Sequence, residues 1–222
     1  MKILDDLCIG WEQGYQASEG QLWGSNPSPV LDRFLKSANP SKNILIADYG
    51  AGDGRHALPL LKQGLNVVCI DISRTGLKKI SEAANKFGLN PPFLMPASLE
   101  DLPAIDEYFN DGYCIDTLPQ IAHPRRALEE IHRTLKHGAK FCVNFFTPDD
   151  AAYGEGELVG HNSFLYKNTI FNFFESKDCL KLLGGLFLIE AESLIKWQDP
   201  PHLPFRPYSH THSALVYNLI KK

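Results

Sequence analysis

Residues 44–54 read Ile-Leu-Ile-Ala-Asp-Tyr-Gly-Ala-Gly-Asp-Gly, an apolar strand pattern that continues into a loop with glycine at positions 50, 52 and 54. A helical pattern of apolar residues follows the loop. Glycine has no Cβ, so this loop can turn sharply and bring its main-chain N–H groups close to a ligand at the carboxyl end of the strand. The stretch therefore predicts a nucleotide-type cofactor loop between a strand and a helix.

A second apolar run lies downstream and supports the first signal. Residues 67–70, Val-Val-Cys-Ile, end in the acidic residue Asp71. In parallel sheets of this kind, the second strand delivers a carboxylate to a ribose at about this distance after the glycine loop. Together the two segments predict a cofactor that carries a ribose.

The glycine spacing distinguishes among nucleotide cofactors. A dinucleotide fingerprint, G-x-G-x-x-G, requires glycine at position 55, but Arg55 stands there and the third glycine comes one residue early. A P-loop requires Gly-Lys followed by Ser or Thr after its glycines, and the sequence has no such triplet. The spacing therefore disfavours both NAD and ATP.

The segment 48–54 consists of an acidic residue, one spacer and G-x-G-x-G. It resembles motif I of the class I S-adenosylmethionine-dependent methyltransferases, and the resemblance extends along most of the chain. It implies S-adenosylmethionine as cofactor and S-adenosylhomocysteine as product. The N-terminal Trp-Glu, Leu-Trp-Gly and Pro-x-Pro add a resemblance to the small-molecule methyltransferases of the tellurite-resistance and thiopurine type.

Short apolar runs alternate with helical segments between residue 44 and about residue 145, which indicates βαβ units and a doubly wound α/β sheet. We predict strands near 44–49, 66–70, 93–96, 112–116 and 139–146, and helices near 55–63, 74–87 and 124–137. A helix over 175–184 and closing strands over 186–197 and 213–220 follow. By resemblance, these two strands form an antiparallel hairpin that completes a mostly parallel seven-stranded sheet.

We expect one domain over residues 1–222, because this length suits one hydrophobic core. Within it, residues 1–40 are less regular and rich in aromatic side chains, which predicts a cap over the sheet edge followed by a helix at 29–37. Residues 147–174 are long for a plain connection and contain aromatic runs. This segment is interpreted as a lid or as an inserted strand pair.

Composition limits the partners that the protein can have. The formal net charge is −4 and the pI is about 6.1, which argues against a protein that binds a phosphate backbone. The apolar runs have the length of strands, and the N-terminus lacks the apolar core of a signal peptide. The five cysteines are scattered and form no C-x-x-C pair. We therefore expect a soluble, cytoplasmic protein that binds neither nucleic acid nor membrane; the sequence does not predict its oligomeric state.

The resemblance also assigns the cofactor contacts. Asp48 and the glycine loop would hold the methionine part, Asp71 the ribose hydroxyls and Ile72 the adenine face. Ser98 stands where the family usually has aspartate, and its hydroxyl or the neighbouring backbone would accept the adenine amine. The full set of predicted cofactor-binding residues is Asp48, Gly50, Ala51, Gly52, Gly54, Asp71, Ile72, Ser98, Leu99, Cys114 and Ile115.

Three residues are candidates for the reaction itself. Asp116 follows the fourth strand, and it would either orient a substrate or cap the turn that begins near Thr117. His210 and His212 are spaced so that both side chains point the same way in an extended segment. They would serve as a base or as substrate ligands. The same geometry permits a metal pair, but the sequence identifies no third ligand, so we expect no metal.

The resulting hypothesis is in-line methyl transfer from S-adenosylmethionine to a small-molecule acceptor. The enzyme's main contribution would be to align the reactants and exclude water. The acceptor atom, whether sulfur, oxygen, nitrogen or a chalcogen, does not follow from the fold. Two alternatives remain open: a non-catalytic module that binds S-adenosylmethionine and a protein partner, and a nicotinamide-dependent oxidoreductase, which Arg55 disfavours.

Overall fold

The computed structural model describes residues 2–203 and 206–222. In chain order the helices are α1 (Lys2–Ala17), α2 (Val30–Ala38), α3 (Ala57–Lys62), α4 (Arg74–Lys86), α5 (Pro124–Thr134) and α6 (Ser176–Leu183), and Leu118–Gln120 form a 3-10 turn. The strands are β1 (Leu45–Tyr49), β2 (Asn66–Asp71), β3 (Phe93–Pro96), β4 (Asp111–Cys114), β5 (Lys140–Phe146), β6 (Glu157–Gly160), β7 (Ser163–Tyr166), β8 (Thr169–Asn172), β9 (Phe187–Asp199) and β10 (His210–Lys221). None of the helices in the described ranges has the length and hydropathy needed to span a bilayer.

Seven strands form the main sheet in the order β3-β2-β1-β4-β5-β10-β9. The pairs among β1 to β5 are parallel, whereas β10 is antiparallel to both β5 and β9. The predicted doubly wound, mostly parallel sheet with a C-terminal antiparallel hairpin is confirmed. The strand order reverses between β1 and β4, and ligands bind at such a point in open α/β sheets.

The direction of the C-terminal hairpin brings residues of β9 and β10 to the carboxyl edge of the sheet. Because β10 runs against β5, the start of β10 lies at the same edge as the carboxyl ends of β1, β2, β4 and β5. β9 runs in the same direction as those strands, so its last residue also lies at this edge. His210 at the start of β10 pairs directly with Asp199 at the end of β9. Residues far apart in sequence therefore meet at one edge of the sheet.

Two hydrophobic clusters hold the helices on the two faces of the sheet. One packs α5 and α6 through side chains such as Leu128, Ile131 and Leu183. The other packs α2, α3 and α4 through Phe34, Leu60 and Ile80. All six of these side chains are at most 1% exposed. The alternating apolar pattern that predicts βαβ units is thus explained by burial on both faces.

A third cluster lies above the carboxyl edge of the sheet. It joins Tyr15 of α1 and the following Leu22 to Phe146 of β5 and to Phe164 and Phe171 of the second sheet. That second sheet is antiparallel and has the order β6-β7-β8. The segment read as a lid or an inserted strand pair therefore forms three short strands.

The structure differs from the sequence prediction at several boundaries. The predicted irregular cap begins with a regular helix, α1, which the glycines and aromatic residues of this segment obscure. α5 ends at Thr134 rather than near Gly138, because Phe109 forms an isolated parallel bridge with Leu135 and draws the chain out of the helix. β10 begins at His210, so both histidines lie on the strand itself rather than before it.

Candidate functional site

A cavity of about 350 Å³ opens at the carboxyl edge of the sheet, at the point where the strand order reverses. Its volume is in the range of small-ligand pockets. The walls come from the β1 glycine loop, the loops after β2, β3 and β4, the end of β5, the N-terminal cap, the second sheet and the β9–β10 hairpin. Its lining residues include Trp11, Tyr15, Trp23, Gly50, Ala51, Gly52, Arg55, Asp71, Ile72, Ser98, Leu99, Ile115, Asp116, Phe146, Phe171, Asp199, Arg206, His210 and His212.

The glycine loop is held against the end of β2. The amides of Gly50 and Ala51 both donate to the Ile70 carbonyl, at 2.8 and 2.9 Å. Gly50 has φ of +89° and Gly52 has φ of +55°, in the region that favours glycine. A Cβ at Gly52 would also lie 2.3 Å from the Tyr15 hydroxyl. The alternating glycines thus permit both a left-handed turn and close contact with the cap.

Asp71 ends β2 beside this loop. One carboxylate oxygen accepts from the Gly52 amide and the other from the Ser73 amide, both at 2.8 Å. Burial raises the pKa of Asp71 to about 6, although the two amide hydrogen bonds oppose the shift. A carboxylate oxygen has more than one lone pair, so Asp71 can hold the loop and still accept from a ligand in the cavity.

Most of the predicted cofactor residues line this cavity, and three do not. Gly50, Ala51, Gly52, Asp71, Ile72, Ser98, Leu99 and Ile115 are brought together. Asp48, Gly54 and Cys114 are absent from its walls. Gly54 faces Leu58 and Ile80 in the core, with a φ of +92° that explains the glycine. The Cys114 thiol is fully buried, and this burial raises its pKa.

Asp48 has a supporting position beneath the cavity. It is 1% exposed, and its carboxylate accepts from the Tyr113 hydroxyl at 2.9 Å. Burial raises the pKa of Asp48 to about 8, even though the Tyr113 hydrogen bond opposes the shift. Asp48, the acidic residue that precedes the glycine loop, therefore joins β1 to β4 through this hydrogen bond.

The N-terminal cap is tied to the glycine loop by hydrogen bonds. The Leu22 amide donates to the Asp53 carboxylate, and the Gln21 side chain donates to the Asp53 carbonyl. The Trp23 indole donates to the Tyr15 hydroxyl at 3.3 Å. The aromatic residues noted in the sequence therefore form a wall of the cavity that covers the loop.

Asp116 lies at the end of β4 with a φ of +56°, a conformation that is uncommon for a residue other than glycine. Two hydrogen bonds with Asn144 of β5 hold it there. The Asp116 amide donates to Asn144 Oδ1 at 2.8 Å, and Asn144 Nδ2 donates to Asp116 Oδ1 at 2.7 Å. The turn at 118–120 has Thr117 as its N-cap and no side-chain capping bond. The alternative that Asp116 caps this turn is therefore wrong, and its carboxylate lines the cavity.

His210 and His212 point into the cavity from β10, as their spacing predicts. Their Nε2 atoms are 3.0 Å apart. Each Nδ1 has a separate partner: the Tyr208 carbonyl at 3.1 Å for His210, and Asp150 Oδ2 at 2.9 Å for His212. Burial lowers the pKa of His210 to about 4, although the Tyr208 hydrogen bond opposes this.

The carboxylate of Asp199 lies next to the two histidines. Arg55 donates to it through both terminal nitrogens, each at 2.8 Å, and this side-chain pair is nearly buried. Burial alone would raise the pKa of Asp199, but the hydrogen bonds from His202 and Arg55 hold it below its ordinary value. Arg55, which in sequence only argued against NAD, thus joins the glycine loop to the C-terminal hairpin.

Several site residues were not identified as such from the sequence. Arg55, Phe146, Asp150, Asp199 and His202 lie on different elements, and only the antiparallel hairpin brings them together. Arg206, from the loop between β9 and β10, also lines the cavity. In the same loop the Tyr208 hydroxyl donates to the Glu155 carboxylate. In the sequence, residues 199–212 are rich in polar side chains, but this pattern by itself does not indicate a site.

Comparison with known proteins shows which proteins this chain is similar to. Residues 47–143 match a family model described as a methyltransferase domain. An uncharacterised protein of Methanocaldococcus jannaschii is 32% identical over 63% of this chain and 62% of its own length. The tRNA 5-carboxymethoxyuridine methyltransferase of Escherichia coli is 25% identical over 71% of this chain and 59% of its own length. The chain thus spans less than two thirds of either relative.

Solved structures show the same fold. A structure from Methanosarcina mazei described as S-adenosylmethionine-dependent methyltransferase superimposes with a TM-score of 0.69 at 19% identity, covering 89% of this chain and all of that one. The 1,6-didemethyltoxoflavin-N1-methyltransferase of Burkholderia thailandensis, solved with S-adenosylhomocysteine, gives a TM-score of 0.63 at 19% identity and covers 88% of this chain and 77% of its own. In its glycine loop, its strand order and the match of residues 47–143 to a methyltransferase domain, the chain is similar to the class I S-adenosylmethionine-dependent methyltransferases.

Proposed function

We propose that the protein transfers the methyl group of S-adenosylmethionine to a small-molecule acceptor. The observation that carries this proposal is that the glycine loop and Asp71 share one cavity with Asp116, His210 and His212. The cofactor residues come from β1 to β4, and the candidate acceptor residues come from β4, β5 and the hairpin. A cofactor and an acceptor could thus lie side by side along the sheet edge.

The strand order gives the approximate distance between the two ends of the cavity. Asp71 ends β2 and His210 begins β10, and three strands separate β2 from β10. Four strand spacings of about 4.8 Å correspond to about 19 Å. This length can hold an adenosine near β2 and β3 and the methionine part over β1 and β4, with the reacting methyl directed toward β5 and β10.

The enclosure of the cavity supports a small acceptor. The cap contributes Trp11 and Trp23 to its walls, and Phe171 contributes from the second sheet. These elements cover the edge of the main sheet and restrict access. The net charge of −4 also opposes electrostatic attraction of a nucleic acid. Although one relative acts on a tRNA, these features favour an acceptor the size of a metabolite.

Arg206 suggests one property of that acceptor. Its side chain is 7% exposed, and one terminal nitrogen donates to Glu155 at 2.7 Å. The other terminal nitrogen, Nη1, is buried and has no hydrogen-bond partner among the residues that the structure describes. A buried guanidinium nitrogen is stabilised by an acceptor oxygen. We therefore expect the small molecule to carry a carboxylate, a phenolate or a comparable oxygen acceptor.

The reaction requires little covalent chemistry from the protein. The main requirement is to hold the nucleophile in line with the sulfonium methyl and to exclude water. Asp116, fixed by Asn144, would orient the acceptor. If the nucleophile enters protonated, an unprotonated Nε2 of His210 or His212 would take its proton, with Asp150 and the Tyr208 carbonyl fixing the tautomers.

A turnover assay tests the proposal. The protein would be incubated with S-adenosylmethionine and a panel of thiols, phenols, carboxylates, amines and oxyanions, and S-adenosylhomocysteine release would be measured. We expect release with at least one class of small acceptor and none with bulk tRNA. Cofactor binding with no release for any acceptor would instead indicate a non-catalytic binding module, and release with tRNA alone would contradict the small-molecule acceptor.

A further inference from the structure

Three potential metal ligands lie together at the hairpin end of the cavity, and a fourth lies beside them. One ligand atom each from Asp199, His202 and His210 lie within 4.8 Å of one another, and all three residues are buried. His202 Nε2 lies 3.4 Å from Asp199 Oδ2. His212 adds a fourth atom, because its Nε2 lies 3.0 Å from that of His210 and 3.8 Å from Asp199 Oδ2.

The hydrogen bonds of the two β10 histidines define which nitrogens are free to bind a cation. The Tyr208 carbonyl can only accept, so His210 Nδ1 must carry a proton. Asp150 Oδ2 also accepts from the Ser213 amide at 3.0 Å, so His212 Nδ1 donates to a carboxylate. In the neutral ring the opposite nitrogen then has a lone pair. The two lone pairs face each other at 3.0 Å, an arrangement that a proton or a metal cation between them would stabilise.

The distances fit a metal ion. Zinc lies about 2.0–2.1 Å from its histidine nitrogens, which places ligand atoms about 3.3 Å apart in a tetrahedral site. Three of the ligand-atom separations, 3.0, 3.4 and 3.8 Å, lie around that value, and all those within the group Asp199, His202 and His210 are at most 4.8 Å. Outer partners that fix the tautomers of metal-binding histidines are also typical, and Asp150 and the Tyr208 carbonyl have that role here.

We propose that Asp199, His202, His210 and His212 bind one divalent transition-metal ion of the zinc class. Such an ion would join the end of β9, the loop after it and the start of β10. Three imidazoles and one carboxylate are ligands that suit zinc and its first-row neighbours. Arg55 already holds Asp199 through two hydrogen bonds, so the carboxylate is fixed in place before the ion binds.

The proposal goes beyond methyl transfer and does not depend on it. A proton and a metal ion would occupy the same lone pairs, so His210 and His212 cannot serve as a base while they hold the ion. In the metal-bound protein the ion would instead be the positive charge next to the acceptor. Metal binding is measured without cofactor or acceptor, so its failure would leave the proposed transferase function standing.

The test uses the full-length protein without a histidine tag, stripped with a chelator and dialysed against Zn²⁺ or Co²⁺. Elemental analysis should give one ion per chain, and bound Co²⁺ should show the intense visible absorption of a tetrahedral site. A stripped wild-type protein that retains neither ion would overturn the proposal, and this outcome does not depend on any variant folding.

Variants locate the ion. His210→Ala and His202→Gln should each lower the retained zinc at least tenfold, whereas His137→Ala should retain as much as wild type. His137 is an exposed histidine in the turn before β5, at the opposite edge of the sheet. Circular dichroism would confirm that the compared proteins are folded. Equal zinc retention in all four proteins would place the ion elsewhere and contradict the proposal.

Discussion

The two ends of the cavity are built in different ways. At the cofactor end, Gly52 and Asp71 are 19 residues apart and join adjacent parallel strands by an amide-to-carboxylate bond. At the hairpin end, Arg55 and Asp199 are 144 residues apart and are linked by a bidentate ion pair. The first end depends on local turns of a βαβ unit. The second exists only after the hairpin has been added to the sheet.

The two ends of the cavity should therefore respond differently to substitution. The cofactor end has main-chain donors and one carboxylate that remains accessible from the cavity, so a single substitution should affect binding more than folding. The hairpin end contains buried charges in contact with one another, so removing one of them leaves another without a partner. Substitutions at the two ends can therefore separate binding from stability.

The largest effect is expected for Arg55→Ala. This change leaves the buried Asp199 carboxylate without its bidentate partner, and unpaired buried charges cost about 3–5 kcal/mol. We expect the free energy of unfolding of the metal-free protein to fall by about that amount. Urea denaturation followed by circular dichroism measures the change.

The control for this variant is Lys78→Ala, which removes an ion pair with Glu82 whose side chains are 76% and 61% exposed. Such exposed pairs contribute little, so its effect should stay within about 0.5 kcal/mol. If Arg55→Ala were no more destabilising than Lys78→Ala, the hairpin end would not depend on the buried pair.

A smaller effect, on binding, is expected for Asp71→Ala. The substitution removes the carboxylate that would accept from the ribose hydroxyls, and the loss of such charge-assisted bonds costs about 1–3 kcal/mol. Calorimetry should therefore show S-adenosylhomocysteine binding weakened by about 5- to 150-fold. Asp101→Ala, at an exposed acid in the loop after β3, should bind like wild type. Equal affinities for wild type and Asp71→Ala would remove Asp71 from the cofactor site.

The smallest effect concerns pH. Burial raises the pKa of Asp71 to about 6, and the ionised form is the one that accepts from ribose hydroxyls. Lowering the pH through 6 protonates this carboxylate, so affinity should fall with decreasing pH. Between pH 7 and pH 5 the ionised fraction falls about tenfold, and the affinity for S-adenosylhomocysteine should fall equally.

Asp71→Asn is the control for that pH dependence, because asparagine has the same shape and does not titrate. Its affinity should change much less over the same range. A variant that retained the full tenfold loss would assign the dependence to another group, such as Asp53, whose pKa burial also raises to about 6.

The contrast also explains how much could be predicted from sequence. The βαβ units follow from apolar periodicity, and the cofactor loop follows from glycines whose positive φ leaves few alternatives. Asp48 and Cys114 adjoin the cofactor motifs but lie on strands, where neighbouring residues face opposite sides of the sheet. Gly54 closes the glycine loop against Leu58 and Ile80. The partners of His210 and His212 depend on the turn before β10 and on the pairing of β10 with β5 and β9, which sequence spacing does not specify.

The roles of the cap and of the second sheet could not be predicted either. The aromatic residues of 1–40 and 147–174 indicate burial but not a partner. In the structure Tyr15 and Phe171 belong to one cluster over the cavity. Their contacts depend on how both segments fold back onto the carboxyl edge. The narrower resemblance to tellurite- and thiopurine-type enzymes stays a prediction.

The cofactor assignment depends on binding of S-adenosylmethionine in the cavity at the carboxyl edge of the main sheet. Isothermal titration of the purified wild-type protein with S-adenosylmethionine, S-adenosylhomocysteine and NADH, run side by side, tests it most directly. We predict saturable one-to-one binding of both adenosyl ligands and no heat of binding with NADH. Binding of NADH alone, or of none of the three, would contradict the assignment of the cofactor.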